Sequence, residues 1–223
     1  MQDSRNVAVF NLTKAPAHSS GTSGFVGMIP INGHPTGMAA SPDGRYLYVV
    51  SRPEINVNSG MGTLAVVDMR KARAKPGPSV VRQQVNAGCG AARVLASPDG
   101  KYVWVTAAGG NALEAFSATK LLSNPRHALV ARVAVGGAPL GLVLVDNGRL
   151  MVVADSSDGS TGTDADLAVV NVSKALARQP AVVGAIRSRG RPHQFALEQD
   201  GKTLLVTNTG SREMEAVSVG QLP

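Results

Sequence analysis

The sequence has one cysteine, Cys89, and four histidines among 223 residues. A single thiol cannot form a disulfide within the chain, and the two CxxC pairs of a structural zinc site are absent. No apolar run approaches the ~20 residues that a transmembrane helix needs. Met1 is not followed by a charged region and then an apolar one, so we expect no export signal in the chain as given. We therefore expect a soluble chain without membrane insertion.

Aromatic residues make up only 4% of the chain and charged residues 17%, whereas 43% of the residues are hydrophobic. This composition excludes a disordered polymer and allows the buried core of one or two domains. Twenty-five glycines and 13 prolines favour short segments joined by tight turns, and abundant valine favours strands over long helices. The formal charge of +7 biases the surface toward anionic partners without identifying one.

Four segments of the chain align with one another without gaps, which indicates a repeat architecture. They cover residues 35–51, 91–107, 139–155 and 192–208, and each has Asp-Gly or Asn-Gly between two apolar stretches. The turn glycines are Gly44, Gly100, Gly148 and Gly201, so the spacings are 56, 48 and 53 residues. Because these turn residues accept positive φ at low cost, the pattern predicts a β-hairpin in each repeat.

Each repeat continues with two more predicted strands. The hairpin strands are a and b, strand c follows a variable loop, and strand d follows a turn that contains a lysine. Four antiparallel strands in each repeat predict an all-β fold, a β-propeller whose blades stack radially. We predict one domain over residues 1–223, with a partial first blade over 1–33 and repeats over approximately 34–87, 88–136, 137–188 and 189–223.

One column of the repeat carries a family resemblance. It reads Tyr48-Val-Val-Ser51, Trp104-Val-Thr-Ala107, Val152-Val-Ala-Asp155 and Leu205-Val-Thr-Asn208, placed after Ser-Pro-Asp-Gly or its equivalent. This column resembles the bacterial YVTN-type β-propeller repeat over nearly the whole chain. The matching residues serve turns and core, so the resemblance implies the fold more than a function. Since family members are commonly exported, it also implies a periplasmic or extracellular location.

The strand count predicts a ring that does not close. Residues 6–11 match strand c and residues 25–31 match strand d, so the chain holds c and d, three complete blades and a terminal abc unit, 17 strands in all. Four blades of four strands leave one strand c over. We expect further sequence upstream of Met1 and a larger propeller, with seven blades by resemblance. The alternative is a domain-swapped or face-paired dimer, with self-association through open blade edges.

The start of each strand a and the b–c loops are expected at one rim of the channel, where propellers bind ligands. Two columns lie there: Thr36, Ala92, Leu140 and His193, then Gly37, Arg93, Gly141 and Gln194. Lactonase-type seven-bladed propellers, similar in their repeats, place Arg followed by His or Glu at these columns in several blades. Only Arg93 and the pair His193-Gln194 approach that pattern, so we predict no catalytic residue.

Cationic and polar side chains at this rim are candidates for binding an anionic ligand. They are His34, Arg52, Arg93, Arg191, His193 and Gln194. The alternative for His34 and His193 is a loop imidazole that caps local backbone carbonyls. His18 and His127 fall in c–d turns at the opposite rim, so a site with several histidine ligands is not expected.

Residues 155–166 form a b–c loop with four carboxylates, those of Asp155, Asp158, Asp164 and Asp166, among glycines and hydroxyls. Hard cations such as calcium accept these ligands, but the loop lacks the alternating acids and terminal bidentate Glu of an EF-hand. The favoured interpretation is a solvated loop in which Asp and Gly form turns. We predict no metal and no cofactor, with calcium as the weaker alternative.

The c–d turns carry lysines in one register. These are Lys14, Lys71, Lys120 and Lys174, and a hydroxyl precedes three of them: Thr13, Thr119 and Ser173. The pattern predicts a short helical turn that the hydroxyl caps where one exists. Arg70, Lys71, Arg73 and Lys75 form the densest basic cluster. Because no aromatic residues interleave with them to stack bases, nucleic-acid binding is not predicted.

Little in the sequence indicates an enzyme. Cys89 lies in a d–a loop with no histidine near it in sequence, which favours a small, partly buried thiol over a nucleophile. No GxSxG elbow, P-loop or GxGxxG fingerprint occurs. We predict a non-enzymatic binding or scaffold propeller that holds a protein or small ligand at the channel rim. The alternative is a lactonase-like hydrolase or a propeller partner of a redox system.

Overall fold

The structure of the chain, a computed structural model, describes residues 5–13, 24–53, 60–157, 166–188 and 190–223. These residues form 17 strands in five antiparallel sheets of two to four strands. The predicted all-β class is confirmed. The helices are short, and none in the described part of the chain has the length and apolar character needed to cross a bilayer.

The sheets follow one another along the chain. The N-terminal sheet contains β1 (Asn6–Phe10) and β2 (Phe25–Pro30). Blade 1 contains β3 (His34–Ala40), β4 (Tyr46–Arg52), β5 (Met61–Asp68) and β6 (Val81–Cys89). Blade 2 contains β7 (Ala91–Ala96), β8 (Tyr102–Ala107), β9 (Ala112–Ser117) and β10 (Leu129–Ala134). Blade 3 contains β11 (Pro139–Val145), β12 (Leu150–Asp155), β13 (Asp166–Asn171) and β14 (Val182–Arg187). Blade 4 contains β15 (Pro192–Leu197), β16 (Thr203–Asn208) and β17 (Glu213–Ser218).

The order of strands agrees with the prediction. The N-terminal sheet corresponds to strands c and d, blades 1 to 3 to abcd, and blade 4 to abc. Within the described ranges, β17 pairs with β16 alone and β1 pairs with β2 alone. The described sheets therefore do not join into a closed ring through strand pairing.

The a–b turns use glycine where the chain needs positive φ. Gly44 and Gly100 have φ of 66° and 69°. In blade 1 the Ser41 hydroxyl donates to Asp43 Oδ1 (2.6 Å) and accepts from the backbone N–H of Tyr46 (2.9 Å). Ser97, Asp99 and Tyr102 repeat these bonds in blade 2. The Ser-Pro-Asp-Gly motif is thus a turn motif, because both of its polar side chains bond within the turn.

Neighbouring blades pack face to face. Successive side chains of a strand point to opposite faces, so strand b of each of blades 1 to 3 contributes to two cores. Val103 and Val105 of β8 pack with Tyr48, Leu64 and Val66 of blade 1. Trp104, between them in sequence, packs with Met151 and Val153 of blade 3. Blade 3 packs in turn on Leu204 and Val206 of blade 4. The N-terminal sheet packs on blade 1 through Ile29 and Val49.

Short helices join strands c and d in the three complete blades, as predicted. They are α1 (Met69–Ala74), α2 (Ala118–Ser123) and α3 (Val172–Leu176). The predicted capping residue is wrong, because the caps are Asp68, Ser117 and Asn171, whose side chains accept from the N–H of Lys71, Lys120 and Lys174. An N-cap side chain reaches the third residue of its helix, so the hydroxyl directly before each lysine lies inside the helix. Lys14 is outside the described residues.

Candidate functional site

The upper rim is the end of the blades where strand a begins and strand b ends. Strand pairing places His34 opposite Arg52 there, Ala91 opposite Ala107, Pro139 opposite Asp155, and Pro192 opposite Asn208. The lower rim, at the other end, carries the a–b turns and the c–d helices. All the candidate ligand-binding residues predicted from sequence belong to the upper rim.

Arg93 is anchored between blades 1 and 2. Its Nη1 donates to the backbone oxygens of Thr36 (3.1 Å) and Ala92 (3.0 Å), and its backbone N–H donates to Thr106 Oγ1 (3.1 Å). Within the described ranges, no residue accepts a hydrogen bond from Nε or Nη2 of this guanidinium. These two donor groups remain available to a ligand, while the Nη1 bonds fix the position of the side chain.

The guanidinium groups of Arg52 and Arg93 interact electrostatically with each other and with the imidazole of His193, and we call these three residues the cationic cluster. Burial is the main cause of the lowered pKa of Arg93, and the charge of Arg52 lowers it further. Burial also lowers the pKa of His193, and the charges of Arg93 and Arg52 add to that effect. No acid of the described residues offsets these shifts. The two guanidinium charges, which no described acid balances, create a potential that attracts anions.

Arg52 contributes an unused donor to the cationic cluster. It ends β4, directly opposite His34. Its Nε is inaccessible to solvent and has no hydrogen-bond partner in the described part of the chain. A buried donor without a partner lowers stability, because it has lost its bonds to water. An anionic group beside the Arg52 guanidinium would offset its repulsion from Arg93.

The structure does not link every predicted candidate to the cationic cluster. Gln194 has an exposed side chain, and its backbone N–H donates to Thr207 Oγ1 (3.2 Å). Arg191 is exposed at φ +50°, its backbone oxygen accepts from Thr209, and it does not shift the pKa of His193. His34 shares the rim through its pairing with Arg52. The charges that interact are those of Arg52, Arg93 and His193.

Hydroxyl groups link neighbouring blades close to the cationic cluster. The Thr36 hydroxyl donates to the backbone oxygen of Ala91 (3.2 Å), and the Thr106 hydroxyl donates to that of Leu140 (2.8 Å). Ser156 makes the equivalent link from blade 3 to Pro192. These roles of Thr106 and Ser156 are not predicted from the sequence. Thr106 and Thr207 occupy the same position of the repeat, near the end of strand b. This repeated threonine is the sequence feature that could have indicated the hydroxyl link of Thr106.

Asp155 bonds to the loop that leads into blade 3. The residue is 2% exposed, and its Oδ2 accepts from the N–H of Gly136 (2.9 Å) in the loop between strand d of blade 2 and strand a of blade 3. Burial raises the pKa of Asp155 to about 7, and nearby Asp166 adds to the increase. Asp166 lies opposite on β13, whereas Asp158 and Asp164 fall outside the described residues. Among the described residues, no three potential metal ligands cluster together.

Two glutamates in strand c lie beside the segment that leads from strand d of one blade to strand a of the next. Neither was predicted from the sequence as a site residue. Glu114 is 3% exposed, and its Oε1 lies 3.8 Å from Nε of Arg132. Burial raises its pKa and Arg132 opposes the shift. Glu215, at the equivalent place in blade 4, accepts a hydrogen bond from Ser188 (3.2 Å). A glutamate between apolar residues of strand c, as in both blades, is the sequence feature that could have indicated a buried carboxylate.

Cys89 agrees with the interpretation as a partly buried thiol. Its side chain is at intermediate exposure, and Sγ lies 3.8 Å from Sδ of Met61. A neighbouring thioether does not stabilise a thiolate, so this environment does not activate the thiol as a nucleophile.

No protein-family model matches the chain, and no curated protein matches its sequence. Solved structures share its fold. The periplasmic gluconolactonase PpgL of Pseudomonas aeruginosa has a TM-score of 0.63 at 20% identity, covering 87% of this chain and 60% of its own. The Dos1 propeller has a TM-score of 0.63 at 14% identity, covering 88% and 44%. The mitotic checkpoint complex has a chain with a TM-score of 0.67 at 15% identity, covering 87% and 52%.

These similarities establish the fold. The chain has the architecture of a partial β-propeller, as the repeat predicts. It spans 44 to 60% of the three chains, about half their length. At such low identity the likeness extends to the fold alone, and function has to be argued from the rim residues of this chain.

Proposed function

We propose that this chain is a non-enzymatic, YVTN-type β-propeller binding protein that holds an anionic ligand at its upper rim. The observation that carries the proposal is the Arg93 guanidinium of the cationic cluster, which the protein holds through Nη1 and which interacts with Arg52 without a balancing acid among the described residues. The Nε and Nη2 groups of Arg93 support it, because no described residue accepts from them and an anion could.

The chemical class of the ligand follows from the guanidinium groups. Arginine binds carboxylate and phosphate through paired, charge-assisted hydrogen bonds. Arg93 uses only Nη1 on the protein backbone, which leaves Nη2 and Nε for such a pair. The ligand is therefore a carboxylate- or phosphate-bearing small molecule, or an acidic side chain of a protein partner.

A lactonase-like hydrolase is the second candidate, favoured by one observation. His193 has a lowered pKa, so its imidazole is mostly neutral at pH 7 and can accept a proton beside the Arg93 guanidinium. The gluconolactonase of P. aeruginosa has the same fold, but at 20% identity it gives no residue-level support. A periplasmic or extracellular location and self-association remain predictions from the sequence.

Calorimetric titration of the complete chain with inorganic phosphate and with citrate tests the binding proposal. We expect Arg93→Ala to weaken binding of at least one of these anions by about tenfold, the loss expected for one charge-assisted interaction. Arg149→Ala is the matched control, because Arg149 pairs with Asp146 at the lower rim (3.1 Å). Equal losses in the two variants, or no binding by the unmodified chain, would contradict the proposal.

A screen for lactone and ester hydrolysis separates the two candidates. The binding proposal predicts no turnover above background. Turnover that His193→Gln abolishes, with the fold retained by circular dichroism, would favour the hydrolase.

A further inference from the structure

A second cationic surface lies on blade 1 at the lower rim, away from the cationic cluster. It is a groove of about 610 Å³ between the a–b turn, helix α1 and strand β6. Its basic lining residues are Arg45, Arg70, Lys71, Arg73 and Arg82, and its acidic ones are Asp43 and Asp68. Five cationic and two anionic side chains leave a net charge of +3 on the groove. We call it the basic groove.

Both acids of the basic groove already bond within blade 1. Asp43 accepts from the Ser41 hydroxyl (2.6 Å) and from the N–H of Arg45 (3.0 Å). Asp68 caps α1 and lies 3.9 Å from Nη1 of Arg82. Hydrogen bonds are the main cause of the lowered pKa of both carboxyls, so both stay ionised at neutral pH. Within the described residues, no acid forms an ion pair with Arg70, Lys71 or Arg73.

The fold does not require the arginines of the basic groove. Helices α1, α2 and α3 are equivalent, and Arg70 and Arg73 align with Thr119 and Leu122 in α2 and with Ser173 and Leu176 in α3. Arg82 aligns with Val130 and Val183 on the basis of strand pairing. Blades 2 and 3 therefore build the same elements without these charges. Positive charge that the architecture does not need is available for recognition.

We propose that the basic groove binds an acidic segment of a partner protein. Arg70 and Arg73 are three residues apart on α1 and so share one face of the helix, where two guanidinium groups can bind neighbouring carboxylates. Single-stranded nucleic acid is the less suitable partner, because it requires free aromatic faces. Of the described residues that line the groove, only Tyr46 is aromatic, and Arg45 covers its ring at 5.6 Å.

Fluorescence anisotropy of the full chain with a labelled octaglutamate peptide at low salt tests this proposal. The test variant is Arg70→Thr with Arg73→Leu, which introduces the residues of α2 and is therefore compatible with the helix. We expect it to weaken peptide binding by about tenfold or more, since two charge-assisted contacts are lost. Arg82→Val, which leaves α1 intact and also copies blade 2, is expected to weaken binding several-fold.

The matched control removes two charges from the lower rim of blade 2, through Lys101→Ala with Lys120→Ala, and is expected to change the affinity less than about twofold. Equal losses in the two double variants would show a general charge effect and overturn the proposal. Loss of peptide binding in Arg93→Ala but not in Arg70→Thr/Arg73→Leu would place the peptide at the upper rim and overturn it. The same holds if octathymidylate binds more tightly than the peptide, or if the peptide does not bind.

Discussion

Arg93 and His193 were identifiable from the sequence because the other residues of their columns carry no charge. Arg93 shares its column with Gly37, Gly141 and Gln194, and His193 shares its column with Thr36, Ala92 and Leu140. Arg52 was reachable through the hairpin register, which ends strand b at the rim. The unpartnered Nε of Arg52 and the hydroxyl link from Thr106 to Leu140 could not be predicted, since each depends on packing between distant segments.

Asp155 makes stability depend on pH. Its pKa in the folded chain is about 7, above the ordinary value of 3.8, so the folded state binds the proton more tightly than the unfolded state. Stability from this group is present at low pH and is lost as pH rises from about 4 through about 7. We expect Asp155→Asn, which keeps the acceptor for Gly136, to raise the free energy of unfolding above pH 7 by up to ~4 kcal/mol.

Urea unfolding of Asp155→Asn at pH 5 and pH 8 measures this difference. Asp200→Asn makes the same change at an exposed carboxyl of the lower rim and is the control. Asn208 shows that an asparagine fits the equivalent position of blade 4, where it accepts from the Ser188 hydroxyl (2.8 Å). A variant less stable than the unmodified chain at pH 8 would show that the charge of Asp155 is needed.

At the scale of elements, the repeat predicted strands and turns well because both depend on local chemistry. The turn glycines and the alternation of buried and exposed residues act within a few positions of each other. Helix capping was predicted less accurately, because the lysine column identified each helix but not its first residue. The cap lies three residues before the lysine, at the end of strand c.

Helix α2 provides a test of the corrected cap. Ser117→Ala removes the acceptor for the N–H of Lys120 and is expected to lower the free energy of unfolding by about 1 kcal/mol. Thr119→Ala, at the residue that the sequence predicted as the cap, is expected to change it by less than about 0.5 kcal/mol. Chemical denaturation of both variants measures the two effects, and a larger loss for Thr119→Ala would contradict the assignment.

At the scale of the whole molecule, face-to-face packing of blades provides the stability and leaves the two rims free to vary. Trp104 is the only tryptophan in the sequence and is fully buried between blades 2 and 3. The sequence predicted stacked blades from the repeat, but not the partners of individual side chains across the blades. The cationic cluster and the basic groove lie at opposite rims, and both contribute to the net charge of +7. We therefore assign a separate binding function to each rim.

Replacing Trp104 tests the packing between blades. Trp104→Ala is expected to lower the free energy of unfolding by about 3–5 kcal/mol, because the cavity lies in a core shared by two blades. Trp104→Phe fills part of the space and is expected to cost less. Far-UV circular dichroism during thermal unfolding measures both variants, and a loss below about 1 kcal/mol for the alanine variant would argue against a shared core.

The most direct test of anion binding at the upper rim is the pKa of His193, followed by NMR with and without inorganic phosphate. In the free chain, burial and the charges of Arg93 and Arg52 hold this pKa below its ordinary value of 6.5. An anion between these groups offsets the two charges, so we predict that saturating phosphate raises the pKa of His193. A pKa of His193 that stays the same while phosphate binds elsewhere would contradict the account.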